Sequence, residues 1–129
     1  MKIEHLAIWA KDIEVLKAFY CRYFGGVAGE KYHNPKKNFT SYFISFENGC
    51  RLEIMNTPDR TLPPSEPAYV LTGLAHFAFS TGSRERVDGL TEQLRNDGYS
   101  IAGEPRTTGD GYYESVILDP EGNSIELTI

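Results

Sequence analysis

The chain of 129 residues carries nearly the same pattern twice. "IEHLAIW" at 3–9 returns as "LAHFAFS" at 74–80, and in each copy a helical stretch and further strand-like segments follow. His5 and His76 stand 71 positions apart, Phe19 and Leu90 also 71, and Glu53 and Glu126 stand 73 apart. Such a repeat is one supersecondary unit used twice. The chain is therefore read as a single domain over 1–129, with a repeat module at 1–56, a linker at 57–73 and a second module at 74–129. The linker holds prolines at 58, 63, 64 and 67, residues that cannot donate in a strand ladder and that bias their predecessor towards extended backbone.

Within the first module, alternation puts Leu6 and Ile8 on one strand face and His5, Ala7 and Trp9 on the other. Asp12 is placed to cap a helix in which Ile13, Leu16, Phe19 or Tyr20, and Tyr23 or Phe24 recur at helical spacing, and Gly25 and Gly26 stop it. "TSYFISFE" and "CRLEIMN" read as two strands joined at Asn48-Gly49, a dipeptide suited to tight hairpin turns. In the second module Ser83 caps "RERVDGLTEQLRND" and Gly98 ends it; two strands follow, "YYESVILD" and "NSIELTI", joined by the turn "DPEGN". The 8 Tyr, 7 Phe and 1 Trp, in a chain 40% hydrophobic, favour a sheet-rich fold over disorder.

A formal charge of −5 gives no electrostatic footprint for nucleic acid or an anionic membrane. The apolar run in "MKIEHLAIWAKD" is broken by Glu4, His5 and Lys11, so it is not read as a signal peptide, and no stretch approaches the ~20 apolar residues of a membrane span. A cytoplasmic location is expected. Cys21 and Cys50, without CxxC spacing, read as small half-buried hydrophobes in a reducing compartment.

Four side chains share one strand parity: His5 and Glu53 in the first module, His76 and Glu126 in the second, each opposite the main apolar face. Taken singly, each has a plain account: a solvated strand glutamate, or a hydrogen-bonded strand histidine. Their recurrence at matching positions in both repeats is harder to explain that way. Two imidazoles and two carboxylates suit a borderline divalent ion such as Zn²⁺, Ni²⁺, Co²⁺, Mn²⁺ or Fe²⁺. Trp9 and Tyr113 are candidates to stack on a substrate, and Lys36, Lys37 and Arg106 to meet an anionic one; packing and solvated surface are the alternatives.

With "HLAIWAKDIEVLKAFYCRYFGG", "RLEIM", "GLAHFAFST" and "YESVILDPEGNSIEL", the sequence resembles the vicinal oxygen chelate superfamily, the glyoxalase, bleomycin-resistance and dioxygenase group, over nearly its whole length. The resemblance implies an α+β fold, in which two βαβββ-type (paired βαββ) modules form a curled mixed sheet around a metal cavity. The His, Glu, His, Glu set is similar to that of glyoxalase I, which implies a lactoylglutathione lyase-type lyase or isomerase, with His5, Glu53, His76 and Glu126 as ligands of zinc or nickel foremost, or of cobalt, manganese or iron. In that chemistry the metal polarises two oxygens of a small oxo or hydroxy-carbonyl compound or its thiol adduct and stabilises an enediolate, while Glu126, with Glu53 as its counterpart, shuttles a proton between adjacent carbons. Relatives often build each site from two chains, and some close it within one; a homodimer with shared sites is the first expectation. Alternatives are a metal-dependent thiol transferase, a ring-cleaving dioxygenase, or a non-catalytic drug-binding protein. Three glyoxalase I anchors for glutathione are replaced here, by Trp9, Thr57 and Thr72, which leaves the thiol open.

Overall fold

Asp12 fixes where the first helix begins: its carboxylate accepts from the backbone N–H of Glu14 at 2.9 Å and of Val15 at 3.2 Å. Gly25, in the left-handed region at φ 64°, closes the helix. The computed structural model describes residues 3–58, 74–109 and 111–129. The expected linker lies largely outside them, with Thr72 and the prolines at 63, 64 and 67. By its contacts the chain divides into two compact units, Met1–Pro67 and Ala68–Ile129.

In the first unit the order is β1 (His5–Trp9), α1 (Ile13–Phe24), β2 (Val27–Ala28), β3 (Tyr32–Asn34), β4 (Phe39–Ser45) and β5 (Arg51–Asn56). The sheet runs β1-β5-β4-β2, with β3 also on β4; β1 and β5 are parallel, and the other pairs are antiparallel. Leu16, Phe19, Tyr20 and Tyr23 of α1 are buried, as are Ile8, Tyr42, Ile44, Leu52 and Ile54 of the sheet. Just past α1, Gly26 sits between helix and sheet: a Cβ there would stand 2.6 Å from Ile44 Cγ2 and 3.1 Å from the Tyr20 carbonyl oxygen. A side chain there would force the two apart.

The second unit runs β6 (Phe77–Ser80), α2 (Arg84–Asn96), β7 (Ile101–Thr107), β8 (Tyr113–Leu118) and β9 (Ser124–Thr128), in sheet order β6-β9-β8-β7, with β6 and β9 parallel. Ser83 caps α2 by accepting from Arg86 N–H at 3.3 Å. Val87, Thr91 and Leu94 are buried, as are Ser115, Ile117, Ile125 and Leu127 of the sheet. Thr91 Oγ1 donates to Val87 O and lies 2.7 Å from Ser115 Oγ, so Ser115 supplies the proton of that second bond. The turn before β9 is tied by Asp119, whose carboxylate accepts from the N–H of Glu121 and of Asn123 and from the Asn123 side chain.

The result is an α+β fold of two modules, each a mixed sheet with one helix, the second reading βαβββ in order. The sequence reading missed β7. Its "AGEPR" interior holds a glycine and a proline, poor strand residues, but β7 is the edge of its sheet and its register slips on both sides of Gly103, so Pro105 is tolerated there. A second correction concerns β6, expected to run over 74–80: it starts at Phe77, and His76 stands just ahead of it. Cys21 and Cys50 are free thiols. No helix among the described residues is long and apolar enough to cross a membrane.

Candidate metal centre

Parallel pairing sets Ala7 opposite Glu53 and His5 opposite Arg51. Since Ile8, Leu52 and Ile54 are buried on the helix side, His5, Trp9, Arg51 and Glu53 share the other face. His5 Nε2 is 3.9 Å from Glu53 Oε2. The other ring nitrogen, Nδ1, lies 2.5 Å from Glu4 Oε2, and Glu4 also accepts from Arg51 Nε at 2.8 Å and from Arg51 Nη2. The His5 hydrogen bond, with Arg51 second, holds the Glu4 carboxyl below its ordinary value. An ionised carboxylate only accepts, so a neutral His5 donates from Nδ1 and keeps the Nε2 lone pair for a metal. Phe43, opposite Glu53 in β4, meets the His5 ring edge-on at 5.2 Å and carries the Arg51 guanidinium 4.2 Å from its centroid.

The second unit repeats the pair with a different surround. Ala78 is opposite Glu126, and His76 Nε2 is 3.2 Å from Glu126 Oε1. The residue before His76 is Ala75, so nothing there matches Glu4. Across β9 and β8, Ser115 pairs with Leu127 and Ile117 with Ile125 on the helix side, while Val116 pairs with Glu126 and Glu114 with Thr128 on the other.

This register decides where the remaining candidates stand. Trp9 shares the face of His5 and Glu53, edge-on to Phe39 at 6.2 Å. Tyr113, a candidate to stack on a substrate with packing as the alternative, has the parity of Ser115 and is packed on the helix side of its sheet. Its hydroxyl donates to Asp88 Oδ1 of α2 at 2.6 Å, and the Arg84 guanidinium lies 4.7 Å from its ring. The Asp88 bond pushes the phenol above its ordinary value. Lys36 and Lys37 are exposed in the turn between β3 and β4. Arg106, by contrast, pairs with Glu114 across β7 and β8 and so lies on the Glu126 face. Sequence reasoning passed over Glu4, Phe43, Gly103 and Glu114; for Glu114 the period-two pattern of "YYESVIL" carried the signal, since it places Glu114 with Val116 and away from Ser115.

A family model described as the Glyoxalase/Bleomycin resistance protein/Dioxygenase superfamily matches residues 2–127. The chain belongs to that superfamily. It is 27% identical to the uncharacterized protein YqjT of Bacillus subtilis (strain 168), over 97% of this chain and 96% of that one. Among solved structures, a glyoxalase family protein from Enterococcus faecalis matches at TM-score 0.78 and 27% identity, covering 99% of this chain and 97% of that one. Glyoxalase I from Zea mays shares the fold at TM-score 0.78 and 22% identity, over 98% of this chain and 44% of the maize chain.

For this superfamily member a metal is the group to test against the residues. Among the described residues, no three His, Cys, Asp or Glu side chains gather around one point. Each unit supplies one imidazole and one carboxylate, a donor set that suits zinc or nickel when two such pairs are combined. The tautomer that Glu4 imposes on His5 fits a ligand role, because carboxylate-tied histidines are the usual pattern around bound metals.

Proposed function

We propose that the chain is a metal-dependent, glyoxalase-like lyase or isomerase of small oxo or hydroxy-carbonyl compounds or their thiol adducts, working in the cytoplasm as a homodimer. The observation that carries this reading is the matched pair: a histidine Nε2 faces a glutamate oxygen at 3.9 Å in one unit and 3.2 Å in the other, at equivalent places in two copies of one module. His5, Glu53, His76 and Glu126 would hold one divalent ion, zinc or nickel foremost, with cobalt, manganese or iron as alternatives. When bound, the ion supplies Lewis-acid polarisation to two oxygens of the substrate. Glu126 takes the proton from the carbon beside the carbonyl and returns it to the neighbouring carbon, with Glu53 as its counterpart. Trp9, on the His5 face, offers a ring for the substrate to lie against.

The test is metal analysis of the purified protein, followed by assay of hemithioacetals of glutathione and other thiols. One equivalent of metal per site and a Glu53→Gln variant impaired in metal affinity or turnover are expected. Absence of both metal and metal-dependent thermal stabilisation sinks the catalytic reading and leaves a ligand-binding protein; unchanged behaviour of Glu53→Gln returns that residue to an ordinary strand position.

A further inference from the structure

The Glu126 face of the second unit continues past the His76–Glu126 pair to a second polar feature on the edge strand. Arg106 Nη2 donates to Glu114 Oε1 at 3.2 Å, and Nη1 reaches the Glu104 carbonyl oxygen at 3.5 Å. The Arg106 side chain is 51% exposed, whereas Glu114 is only 13% exposed. Gly103 makes this position possible: a Cβ there would stand 2.9 Å from Arg106 Nη1 and 3.2 Å from Val116 Cγ2. The guanidinium thus folds back over the bare backbone of Gly103, in the space that a side chain would fill. Gly103 pairs with Val116, and Val116 pairs with Glu126. Arg106 Nη1 therefore sits in the same row as Glu126, two strands away, or roughly 10 Å along the sheet.

We infer that Arg106 is the anion-holding residue of this site, so that the substrate carries an oxyanion, a carboxylate or a phosphonate, at the end remote from its reacting oxygens. The inference rests on the glyoxalase-like reading only for what lies at the Glu126 end. A guanidinium has five N–H donors in a planar fork that matches an oxyanion, so the bond to Glu114 fixes its plane and leaves donors for a second acceptor. Glu114 is a positioning residue in this arrangement. Its charge weakens the pull on an anion, and its bond holds the fork where the anion arrives. The face offers no comparable cation at Ala78, Ser80, Val116 or Thr128.

The probe is the monohydroxamate of suberic acid, whose hydroxamate takes a metal and whose chain sets a carboxylate at about the required distance; its methyl ester is the neutral control. Calorimetry on the zinc-loaded full chain should show the acid binding about ten-fold more tightly than the ester, the size of one charge-assisted hydrogen bond. Arg106→Gln should abolish that preference and leave zinc affinity and ester binding as they were, and Gly103→Ala should reduce it by displacing Nη1. A phosphonate of equal length binding above the carboxylate would identify a tetrahedral group as the natural one. Equal binding of acid and ester by the unaltered protein, or equal loss of both in Arg106→Gln, overturns the inference. If zinc does not bind, the metal reading fails on its own, and suberate titrated into the metal-free protein by NMR decides the rest: Arg106-dependent shifts at Gly103 sustain the anion site, and their absence removes it.

Discussion

In the first unit, His5 stands 3.9 Å from Glu53 and is tied from behind by Glu4, with Phe43 at its edge; in the second, His76 stands 3.2 Å from Glu126, with Ala75 behind it and small side chains alongside. The donor types are duplicated, and what surrounds them is not. The first half orients its imidazole through a hydrogen-bonded, partly aromatic surround. In the second, among the described residues, the imidazole meets Glu126, and Arg106 pairs with Glu114 further along the face. Beneath the two faces the cores differ in the same sense: α1 buries Phe19, Tyr20 and Tyr23, whereas α2 buries Val87, Thr91 and Leu94 and needs the Thr91–Ser115 hydroxyl pair. Duplication fixed the positions that define the fold and the donor set, and each copy then filled in its own support.

The cores give the largest contrast. Phe19→Ala should cost about 3–5 kcal/mol, because it opens a cavity among large buried side chains. Thr91→Val should cost about 1–2 kcal/mol, the penalty of leaving the buried Ser115 hydroxyl without its partner, and adding Ser115→Ala should recover most of it. Urea unfolding followed by tryptophan fluorescence and circular dichroism checks both. No loss in Thr91→Val, or no recovery on adding Ser115→Ala, would mean that the second core is not organised around its hydroxyl pair.

The two surrounds differ next, in metal affinity. Glu4→Ala should weaken zinc binding by ~10–100-fold, as removal of a carboxylate behind a ligating histidine does elsewhere. Ala75→Glu, which places a carboxylate behind His76 in the same sequence position, tests whether that surround can be transplanted. Calorimetric titration measures both, and an unaltered affinity in Glu4→Ala would make Glu4 a surface ion-pair residue only.

How much of this could be read from the sequence follows from which features are periodic. Helices α1 and α2 were legible to within a residue because caps and apolar spacing agree at Asp12, Gly25 and Ser83. The strands β1, β5, β8 and β9 were legible because their faces alternate cleanly, and the same alternation put His5 with Glu53 and His76 with Glu126. Strand β7 was hidden, since Gly103 and Pro105 disqualify it locally and only its place at the sheet edge admits them. Tyr113 was left between substrate and packing for a related reason: a tyrosine near the end of a strand looks the same on either face, and the decision lies in its tertiary partner Asp88. Glu4 escaped notice because its role comes from a bond to the adjacent ring and to Arg51, 47 positions on, which no periodicity encodes.

Asp88 offers the next test. The phenol of Tyr113 is held above its ordinary value chiefly by its hydrogen bond to that carboxylate, so Asp88→Asn should bring its ionisation back down. The change is read by NMR of labelled tyrosine on a pH series. A Tyr113 that titrates alike in both proteins would place it off the helix face.

The smallest expected effects compare the first turns of the two helices. Glu14 of α1 accepts from Lys17 at 2.5 Å, Lys31 at 2.9 Å and the Tyr42 hydroxyl at 3.0 Å, and these bonds, Lys17 foremost, take its carboxyl down to about 2. Glu85 of α2 is lowered mainly by its own backbone N–H, with Ser83 second. A carboxyl depressed in the folded chain stabilises it fully above the unfolded value, and that contribution is lost as pH falls through the folded one. The stability difference between the unaltered protein and Glu14→Gln should therefore be constant near neutrality, shrink from about pH 4.5 downwards and close near pH 2. Glu85→Gln should show the same sign over a narrower span, since the Glu85 carboxyl is held by a backbone N–H and Ser83 rather than by two lysines. Both side chains are exposed, so the differences should also shrink with added salt, and more for Glu14, whose partners are ions. A Glu14 difference that widens on acidification would mean that the Lys17 and Lys31 contacts do not hold in solution.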